Sequence, residues 1–129
     1  GAWITELAKY YVDVTIENRD FRDVIKLYDS EYTLFYCDPP FLPIGVKDRD
    51  DYYRFAFTEK DMRDLLDLLD RIKGYFILKL PGDHLEVDFI KEWASREGRQ
   101  VFTYTKSRSQ HKSVGGKKPK WTVVLVTNY

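Results

Sequence analysis

The sequence holds one cysteine, Cys37, among its 129 residues. A lone thiol cannot form an internal disulfide or a cysteine-rich metal site, so a reducing compartment is expected. No apolar run approaches the roughly 20 residues of a membrane-spanning helix, and nothing at the amino terminus is typical of a signal peptide. The histidines His84 and His111 have no metal-type spacing with cysteine or paired carboxylates. The sequence therefore predicts neither a metal site nor a membrane span.

The chain also lacks net charge, but its charges are unevenly distributed. It has 21 basic and 21 acidic residues, and 43% of its residues are hydrophobic, which is typical of a globular protein. At 129 residues we expect a single domain. From Gly98 to Tyr129 there are seven basic residues and no acidic one, which leaves 14 basic against 21 acidic residues in the rest. This asymmetry suits either contact with a polyanion or a solvated basic loop.

Strand and helix patterns alternate along the chain. Apolar, β-prone runs predict five strands: Val12–Glu17, Thr33–Cys37, Tyr75–Leu80, Gln100–Lys106 and Trp121–Asn128. Helical periodicity with capping signals predicts three helices, which begin at Asp20, at Thr58 and at Asp83. We interpret each of these caps as half of a capping box, with Asp23, Asp61 and Glu86 as the partners. Gly74 and Gly98 end the second and third helices. Residues 41–57 and the polar stretch Ser107–Lys120 are predicted loops.

This order predicts an α/β domain. Alternating strands and helices favour a mostly parallel sheet with helices on both faces. The last two strands have no helix between them, so we expect an antiparallel pair at the carboxyl terminus.

The sharpest local feature is the run Asp38-Pro39-Pro40-Phe41 directly after a buried strand. Open α/β sheets bind ligands at the carboxyl ends of their strands, which is where this carboxylate falls. The carboxylate, the free Pro39 carbonyl and the following ring together suit a flat substrate with an exocyclic amine. By itself, the run also fits an aspartate that begins a proline turn, with Phe41 packed locally.

The residues around this turn resemble a known family. Asp38-Pro39-Pro40-Phe41 resembles the Asp-Pro-Pro-Tyr/Phe catalytic motif of the Dam-like DNA adenine-N6 methyltransferases. Further similarities follow in the family's order: the strand and Asp-Phe turn of Val14–Phe21, the aromatic segment and helix of Tyr53–Leu66, and the basic loop Ser107–Lys120 before a final strand ending Thr127-Asn128-Tyr129. The resemblance covers roughly residues 12–129 and implies a partial Rossmann-like sheet, the carboxyl-terminal part of a class I methyltransferase fold.

The resemblance implies N6 methylation of adenine in double-stranded DNA, with S-adenosylmethionine as the methyl donor. Asp38 and the Pro39 carbonyl would accept hydrogen bonds from the N6 amine of a flipped-out adenine, and Phe41 would stack on its ring. Asp20 would accept from the amine of the cofactor's adenosine, and Phe21 would pack on that ring. A helix-capping aspartate followed by a core phenylalanine fits the same two residues.

Contacts with DNA are implied at two places. Tyr53 would line the base pocket, and Lys112, Lys117 and Lys118 would contact phosphates, which position the protein without reading sequence. A cytoplasmic, prokaryotic or viral setting is expected for such an enzyme, in restriction-modification or a related role.

The sequence departs from the family in three features. No glycine occurs between Gly1 and Gly45, so the Phe-x-Gly-x-Gly loop that approaches the cofactor is absent, as is the target-recognition region. The final strand also opens with Trp121-Thr122-Val123, where relatives have an acidic residue. Three explanations are open: a fragment of a longer enzyme, a chain completed by a partner subunit, or a degenerate protein that still binds DNA. We favour a fragment, because an uncovered sheet edge promotes aggregation.

Two alternatives to adenine methylation of DNA remain. The chain could bind nucleic acid without catalysis, or it could methylate another amine, in RNA adenine or at cytosine N4. Motifs for those other amines generally begin with Asn or Ser, so Asp38 favours adenine in DNA.

Overall fold

The computed structural model describes residues 7–14, 20–40, 57–107 and 120–129. The strands of these residues form one five-stranded sheet in the order β1-β2-β3-β5-β4. In chain order they are β1 (Tyr10–Val14), β2 (Thr33–Cys37), β3 (Tyr75–Pro81), β4 (Gln100–Ser107) and β5 (Lys120–Thr127). All five predicted strands are confirmed, with β2 at its predicted bounds. The first strand begins two residues earlier than predicted, and residues 15–19 lie outside the described part.

The sheet is mixed rather than mostly parallel. Among the described strands, β1–β2 and β2–β3 pair in parallel, while β3–β5 and β4–β5 pair antiparallel. The predicted antiparallel pair at the carboxyl terminus is therefore confirmed. The expectation of a mostly parallel sheet is not, because β5 inserts between β3 and β4 and so forms two antiparallel ladders. The α/β class itself holds.

Three α-helices accompany the described strands: α1 (Phe21–Tyr28), α2 (Glu59–Arg71) and α3 (Asp88–Ala94). The capping box of α2 is confirmed, since Thr58 and Asp61 exchange hydrogen bonds. Asp20 caps α1 as predicted by accepting from the Arg22 amide, although Asp23 completes no box there. These caps satisfy amides that the first helical turn leaves without partners.

The predicted capping box of Asp83 and Glu86 is wrong. Residues Gly82–Glu86 form a short 3₁₀ helix, and α3 begins only after Val87, which makes no side-chain capping bond. The Asp83 carboxylate instead lies 2.8 Å from Nδ1 of His84, whose side chain is buried. Burial of that imidazole competes with the regular helical turn that the sequence pattern suggested.

The hydrophobic core lies on one face of the sheet. Alternate strand residues point into it, among them Val14, Phe35, Phe76, Leu78 and Val124. The same core contains side chains from all three helices: Phe21, Ile25, Met62, Leu65, Leu66, Leu69, Ile90, Trp93 and Ala94. Among the described residues, therefore, helices cover one face only, and the prediction of helices on both faces is not confirmed. None of the described helices is long and apolar enough to span a membrane.

The amino end of the parallel strands is closed by backbone contacts. The Asp29 carboxylate accepts from the amides of Lys73 and Gly74, at 2.9 to 3.1 Å. Asn128 accepts from the Phe76 amide and donates to the Gly74 carbonyl, at 2.8 and 3.1 Å. A Cβ on Gly74 would overlap the Thr33 carbonyl oxygen. Gly74 is therefore required by close backbone approach, whereas α2 already ends at Arg71, with Ile72 as its cap.

Candidate functional site

Asp38 lies where the sequence analysis placed it, directly after the buried strand β2. Cys37, the last residue of β2, is buried and pairs with Val14 of β1 and Leu78 of β3. The Asp38 side chain is exposed, whereas Pro39 is buried. The carboxylate is therefore presented to solvent from the carboxyl end of adjacent parallel strands, where open α/β sheets hold their ligands.

A cavity of about 640 Å³ opens beside Asp38. One wall is the carboxyl end of β3 with the 3₁₀ helix, which contribute Lys79, Asp83 and Glu86. The start of β5, which lies directly beside this end of β3, contributes Trp121 and Thr122. This volume lies within the range of small-molecule sites. The structure therefore joins the predicted carboxylate to a pocket large enough for a flat ring.

The close contact between Gly82 and Thr122 sets the shape of this cavity. A Cβ built on Gly82 would lie 2.8 Å from the Thr122 Cβ, a separation that real side chains do not show. Only glycine therefore lets the 3₁₀ helix approach β5 so closely. Because β5 runs antiparallel to β3, with Val123 opposite Pro81, residues Trp121 and Thr122 extend past the end of β3. The cavity wall thus depends on a pairing between segments about 40 residues apart in the sequence.

The described lining of the cavity is acidic. Among the described residues, three that line it carry carboxylates, Asp38, Asp83 and Glu86, and one carries an ammonium group, Lys79. Beside it, burial raises the pKa of Tyr36, and the charge of Asp38 raises it further. The carboxylate of Asp38 therefore makes ionisation of the Tyr36 hydroxyl, on the preceding strand β2, less favourable. A lining of this kind favours groups that donate hydrogen bonds and disfavours phosphate.

Asp20 and Phe21 lie at the start of α1. The Asp20 side chain is 49% exposed, and its hydrogen bonds to the amide and guanidinium of Arg22 both use Oδ1. Phe21 is a core residue, 2% exposed, with its ring 6.0 Å from that of Phe57. The Arg22 guanidinium covers the ring at 4.3 Å from its centroid. The interpretation of these two residues as a helix cap and a core side chain is confirmed, and their contact with a cofactor stays a prediction.

Arg22 ties this turn to the start of α2. Its guanidinium contacts Asp61 at 2.8 Å and Asp64 at 2.7 Å, in addition to Asp20. The hydrogen bond from the Arg22 amide is the main cause that lowers the pKa of Asp20. Burial would raise the pKa of Asp61, but hydrogen bonds from Thr58 and Arg22 outweigh it, and the pKa is lowered. The lowered pKa values keep Asp20 and Asp61 ionised. The ion pair between Arg22 and Asp20 then fixes the orientation of the Asp20 side chain.

A second cavity, of about 590 Å³, lies near the amino end of β3. Arg99 lines it with a side chain 10% exposed, stacked on Trp93 at 4.1 Å and paired with Asp70. Asp70 also accepts from the Trp93 indole at 2.9 Å and from Arg96 at 3.1 Å. These contacts connect α2, α3 and the start of β4, while the buried Nε of Arg99 has no hydrogen-bond partner among the described residues.

The remaining candidate groups are the Cys37 thiol, the side chains that could bind a metal, and the predicted site residues outside the described ranges. Burial raises the pKa of Cys37, so its thiol stays protonated and is a poor nucleophile. Within the described ranges, no group of three or more histidine, cysteine or acidic side chains could hold a metal ion. Five predicted site residues lie outside those ranges: Phe41, Tyr53, Lys112, Lys117 and Lys118.

Sequence reasoning identified Asp38 alone and missed the rest of the cavity lining, including the charged or aromatic residues Lys79, Asp83, Glu86 and Trp121. One signal was present: β3 pairs in parallel with β2, so Lys79 near its end and Asp83 just after it reach the same end of the sheet as Asp38. No local signal identified Trp121, which reaches the cavity only through the β3–β5 pairing.

A protein-family model described as D12 class N6 adenine-specific DNA methyltransferase matches residues 3–109 of the chain. The matched stretch includes Asp20, Phe21, Tyr53 and the Asp38 turn, whereas the three predicted phosphate-contacting lysines lie beyond it. No curated protein and no solved structure matches the chain.

Proposed function

Because the chain belongs to the D12 class of N6 adenine-specific DNA methyltransferases, we propose that the Asp38 turn holds the adenine N6 amine for S-adenosylmethionine-dependent methylation of DNA. The observation that carries the proposal is the exposed Asp38 carboxylate at the mouth of an acidic cavity of about 640 Å³. The family supplies the reaction type, and the cavity supplies a place for the base.

Asp38 and the Pro39 carbonyl act as paired acceptors in this proposal. The N6 lone pair of adenine is delocalised into the ring, so the amine is a weak nucleophile in its ground state. Two acceptors that bind its N–H groups favour a tetrahedral nitrogen and stabilise the positive charge that develops there. Phe41 and Pro40 complete the turn, with the Phe41 ring against the face of the base. Asp38 need not be a strong base, because the alkylated nitrogen loses its proton readily.

The methyl donor would contribute an electrophilic methyl group on a sulfonium when bound. Asp20 fits such a ligand, since its carboxylate is half exposed and its hydrogen bonds to Arg22 leave Oδ2 available for an amine. The ring of Phe21 fits less directly, because direct contact requires that the Arg22 side chain move away from it. We therefore assign Asp20 the polar contact and Phe21 a supporting position beneath it. The chain has no Phe-x-Gly-x-Gly loop, so the proposal places that contact on a separate segment or subunit.

Double-stranded DNA is the proposed substrate. Its adenine must leave the helix before N6 can reach Asp38, since N6 is otherwise paired and stacked. We assign phosphate contacts to Lys112, Lys117 and Lys118, and the rim of the base pocket to Tyr53. The acidic cavity supports this division, because phosphates are expected to stay outside it while an uncharged base enters.

Methyl transfer to DNA tests the assignment of Asp38. The chain, alone or combined with a segment that supplies the glycine-rich loop, is incubated with labelled S-adenosylmethionine and double-stranded DNA. We expect Asp38→Ala to lower the rate at least 100-fold, since one lost acceptor in an electrostatic site costs about 10²–10³-fold. Asp67→Ala is the matched control, because that carboxylate lies on the exposed side of α2. Equal rates for Asp38→Ala and the unsubstituted chain would refute the role of Asp38.

A further inference from the structure

The second cavity, of about 590 Å³, lies between the carboxyl ends of α2 and α3, at the opposite end of β3 from the Asp38 turn. Its apolar lining comes from Leu69, Ile72 and Phe76. Its charged lining is balanced, since the described residues contribute two arginines and two carboxylates. A cavity of this size and mixed lining fits a small ligand with an apolar body and one charged group.

Within the described lining, Arg99 has an incomplete set of contacts. Its side chain is 10% exposed, and its buried Nε has no hydrogen-bond partner among the described residues. Burial lowers the pKa of Arg99, because the charged guanidinium has lost part of its hydration. A buried donor without an acceptor is unfavourable, and more so on a charged group. An acceptor supplied by a ligand would therefore be favourable at this position.

We propose that the second cavity binds a small monocarboxylate with an apolar body, and that Arg99 holds its carboxylate. A guanidinium presents Nε and one Nη along the same edge, and two parallel hydrogen bonds from that edge match the two oxygens of a carboxylate. The balanced lining favours a ligand with one negative charge over a doubly charged phosphate. This site goes beyond the proposed function, because it lies away from the Asp38 turn.

Asp70 can release Arg99 and still keep hydrogen-bond donors. Its Oδ1 accepts from the Trp93 indole at 2.9 Å and its Oδ2 from Arg96 at 3.1 Å, in addition to the ion pair with Arg99. Asp70 thus has three donors, whereas Arg99 pairs with one carboxylate among the described residues. Because Nε is buried, binding requires a shift of the guanidinium toward the cavity. That shift exchanges Asp70 for the ligand, which satisfies Nε and leaves Asp70 bonded.

The bound carboxylate acts on stability rather than on methyl transfer. Asp70, Trp93 and Arg99 connect α2, α3 and the start of β4. A ligand that binds these elements only in the folded chain shifts the equilibrium toward that chain. Its expected effect is a higher thermal midpoint.

Titration of the full chain with benzoate tests the proposal, followed by NMR of the arginine Nε–H groups and by thermal unfolding. Benzamide is the matched uncharged probe, and inorganic phosphate is an anion without an apolar body. We expect benzoate to shift the Nε–H signal of Arg99, which is identified by its loss in Arg99→Lys, and to raise the thermal midpoint. Benzamide and phosphate should bind at least about 10-fold more weakly, since each lacks one of the two recognised features.

Two variants of the lining should change benzoate binding in opposite directions. Arg99→Lys keeps the charge but removes the planar edge, so binding should weaken about 10- to 100-fold, the range for a hydrogen bond to a charged group. Glu97→Gln changes an exposed side chain, so it is expected to fold normally. It removes a like charge from the lining and should tighten binding about two- to fivefold. Glu59→Gln is the matched control, because that exposed carboxylate on α2 does not line the cavity, and binding should stay unchanged.

The Nε–H signal of Arg99 gives the clearest result. If benzoate leaves that signal unmoved, the proposal is overturned, and the acceptor for Nε is solvent. Equal benzoate binding by the unsubstituted chain, Arg99→Lys and Glu97→Gln would overturn it as well. Binding of benzamide or phosphate as tight as that of benzoate would overturn the assigned ligand class.

Discussion

The two ends of the parallel strands are built in opposite ways. At the amino end, Asp29 and Asn128 satisfy backbone groups of residues 73–76, and Gly74 leaves no space for a side chain. At the carboxyl end, the strands stop at an exposed carboxylate beside a cavity of about 640 Å³. One end of the same strands is therefore filled with backbone contacts, and the other is left open.

This difference separates stability from function within one sheet. Substitutions at the amino end leave backbone groups overlapped or without partners, so they are expected to destabilise the fold. Substitutions at Asp38 remove a group that faces a cavity, so they should affect ligands more than folding. The following predictions test this contrast in decreasing order of their expected effect on the free energy of unfolding.

Gly74→Ala should have the largest effect, lowering the free energy of unfolding by about 3 kcal/mol, at the upper end of overpacking costs. The new Cβ would overlap carbonyl oxygens of Thr33 and Ser30, which belong to rigid backbone. Urea denaturation measures the change. Gly98→Ala is the control: its φ of 86° strains any other residue, but nothing lies within 4 Å, so a cost of about 1 kcal/mol is expected. Equal costs would show that the amino end is not tightly closed.

Asn128→Ala should lower the free energy of unfolding by about 2 kcal/mol, since a donor and an acceptor lose their partners. The Phe76 amide and the Gly74 carbonyl are the groups left unpaired. Asn128→Asp keeps the acceptor for Phe76 but sets a carboxylate oxygen against the Gly74 carbonyl oxygen, so a loss at least as large as that of Asn128→Ala is expected. Chemical denaturation of the three proteins gives the comparison. An Asn128→Asp protein as stable as the unsubstituted chain would contradict the role of the Asn128 donor.

Arg22→Met should lower the free energy of unfolding at pH 7 by about 1 kcal/mol, a modest value because the ion pairs are partly exposed. Methionine retains apolar contact with Phe21. The pKa values of Asp20, Asp61 and Asp64 are lowered in the folded chain. Their stabilisation is thus present above the unfolded pKa of about 4 and is lost as the pH falls through the folded values.

The difference between Arg22→Met and the unsubstituted chain should therefore shrink on acidification. Unfolding curves at pH 7 and pH 3 measure it. A difference that stays constant between these two pH values would indicate that Arg22 acts through packing rather than through its carboxylate partners.

Asp38→Asn should have the smallest effect on stability, within about 0.5 kcal/mol, as expected for an exposed side chain outside any buried network. Its thermal midpoint should match that of the unsubstituted chain. A loss above about 1 kcal/mol would mean that Asp38 supports the fold and would weaken its assignment to ligand binding.

Local signals in the sequence predicted the elements well. The bounds of β2 and the capping box between Thr58 and Asp61 follow from short patterns, and both are confirmed. The position of Asp38 follows from the strand that precedes it. The box between Asp83 and Glu86 had the same local pattern, but burial of His84 and the Gly82–Thr122 contact produce a 3₁₀ helix instead.

Long-range pairing accounts for what the sequence could not predict. The cavity exists because β5 inserts beside β3, and nothing local in Trp121 or Thr122 specifies that neighbour. The one-sided packing of the helices depends in the same way on tertiary contacts. Register and neighbour choice between distant strands are set by the assembled core, so patterns within a single segment do not encode them.

The most direct test of the central claim is the identity of the methylated nucleoside. DNA treated with labelled S-adenosylmethionine and the chain, supplemented with a segment that supplies the glycine-rich loop, is digested to nucleosides and analysed by mass spectrometry. Our account predicts N6-methyldeoxyadenosine as the labelled product, strongly reduced with Asp38→Ala. Labelled N4-methyldeoxycytidine, or label on adenine that is unaffected by Asp38→Ala, would contradict it.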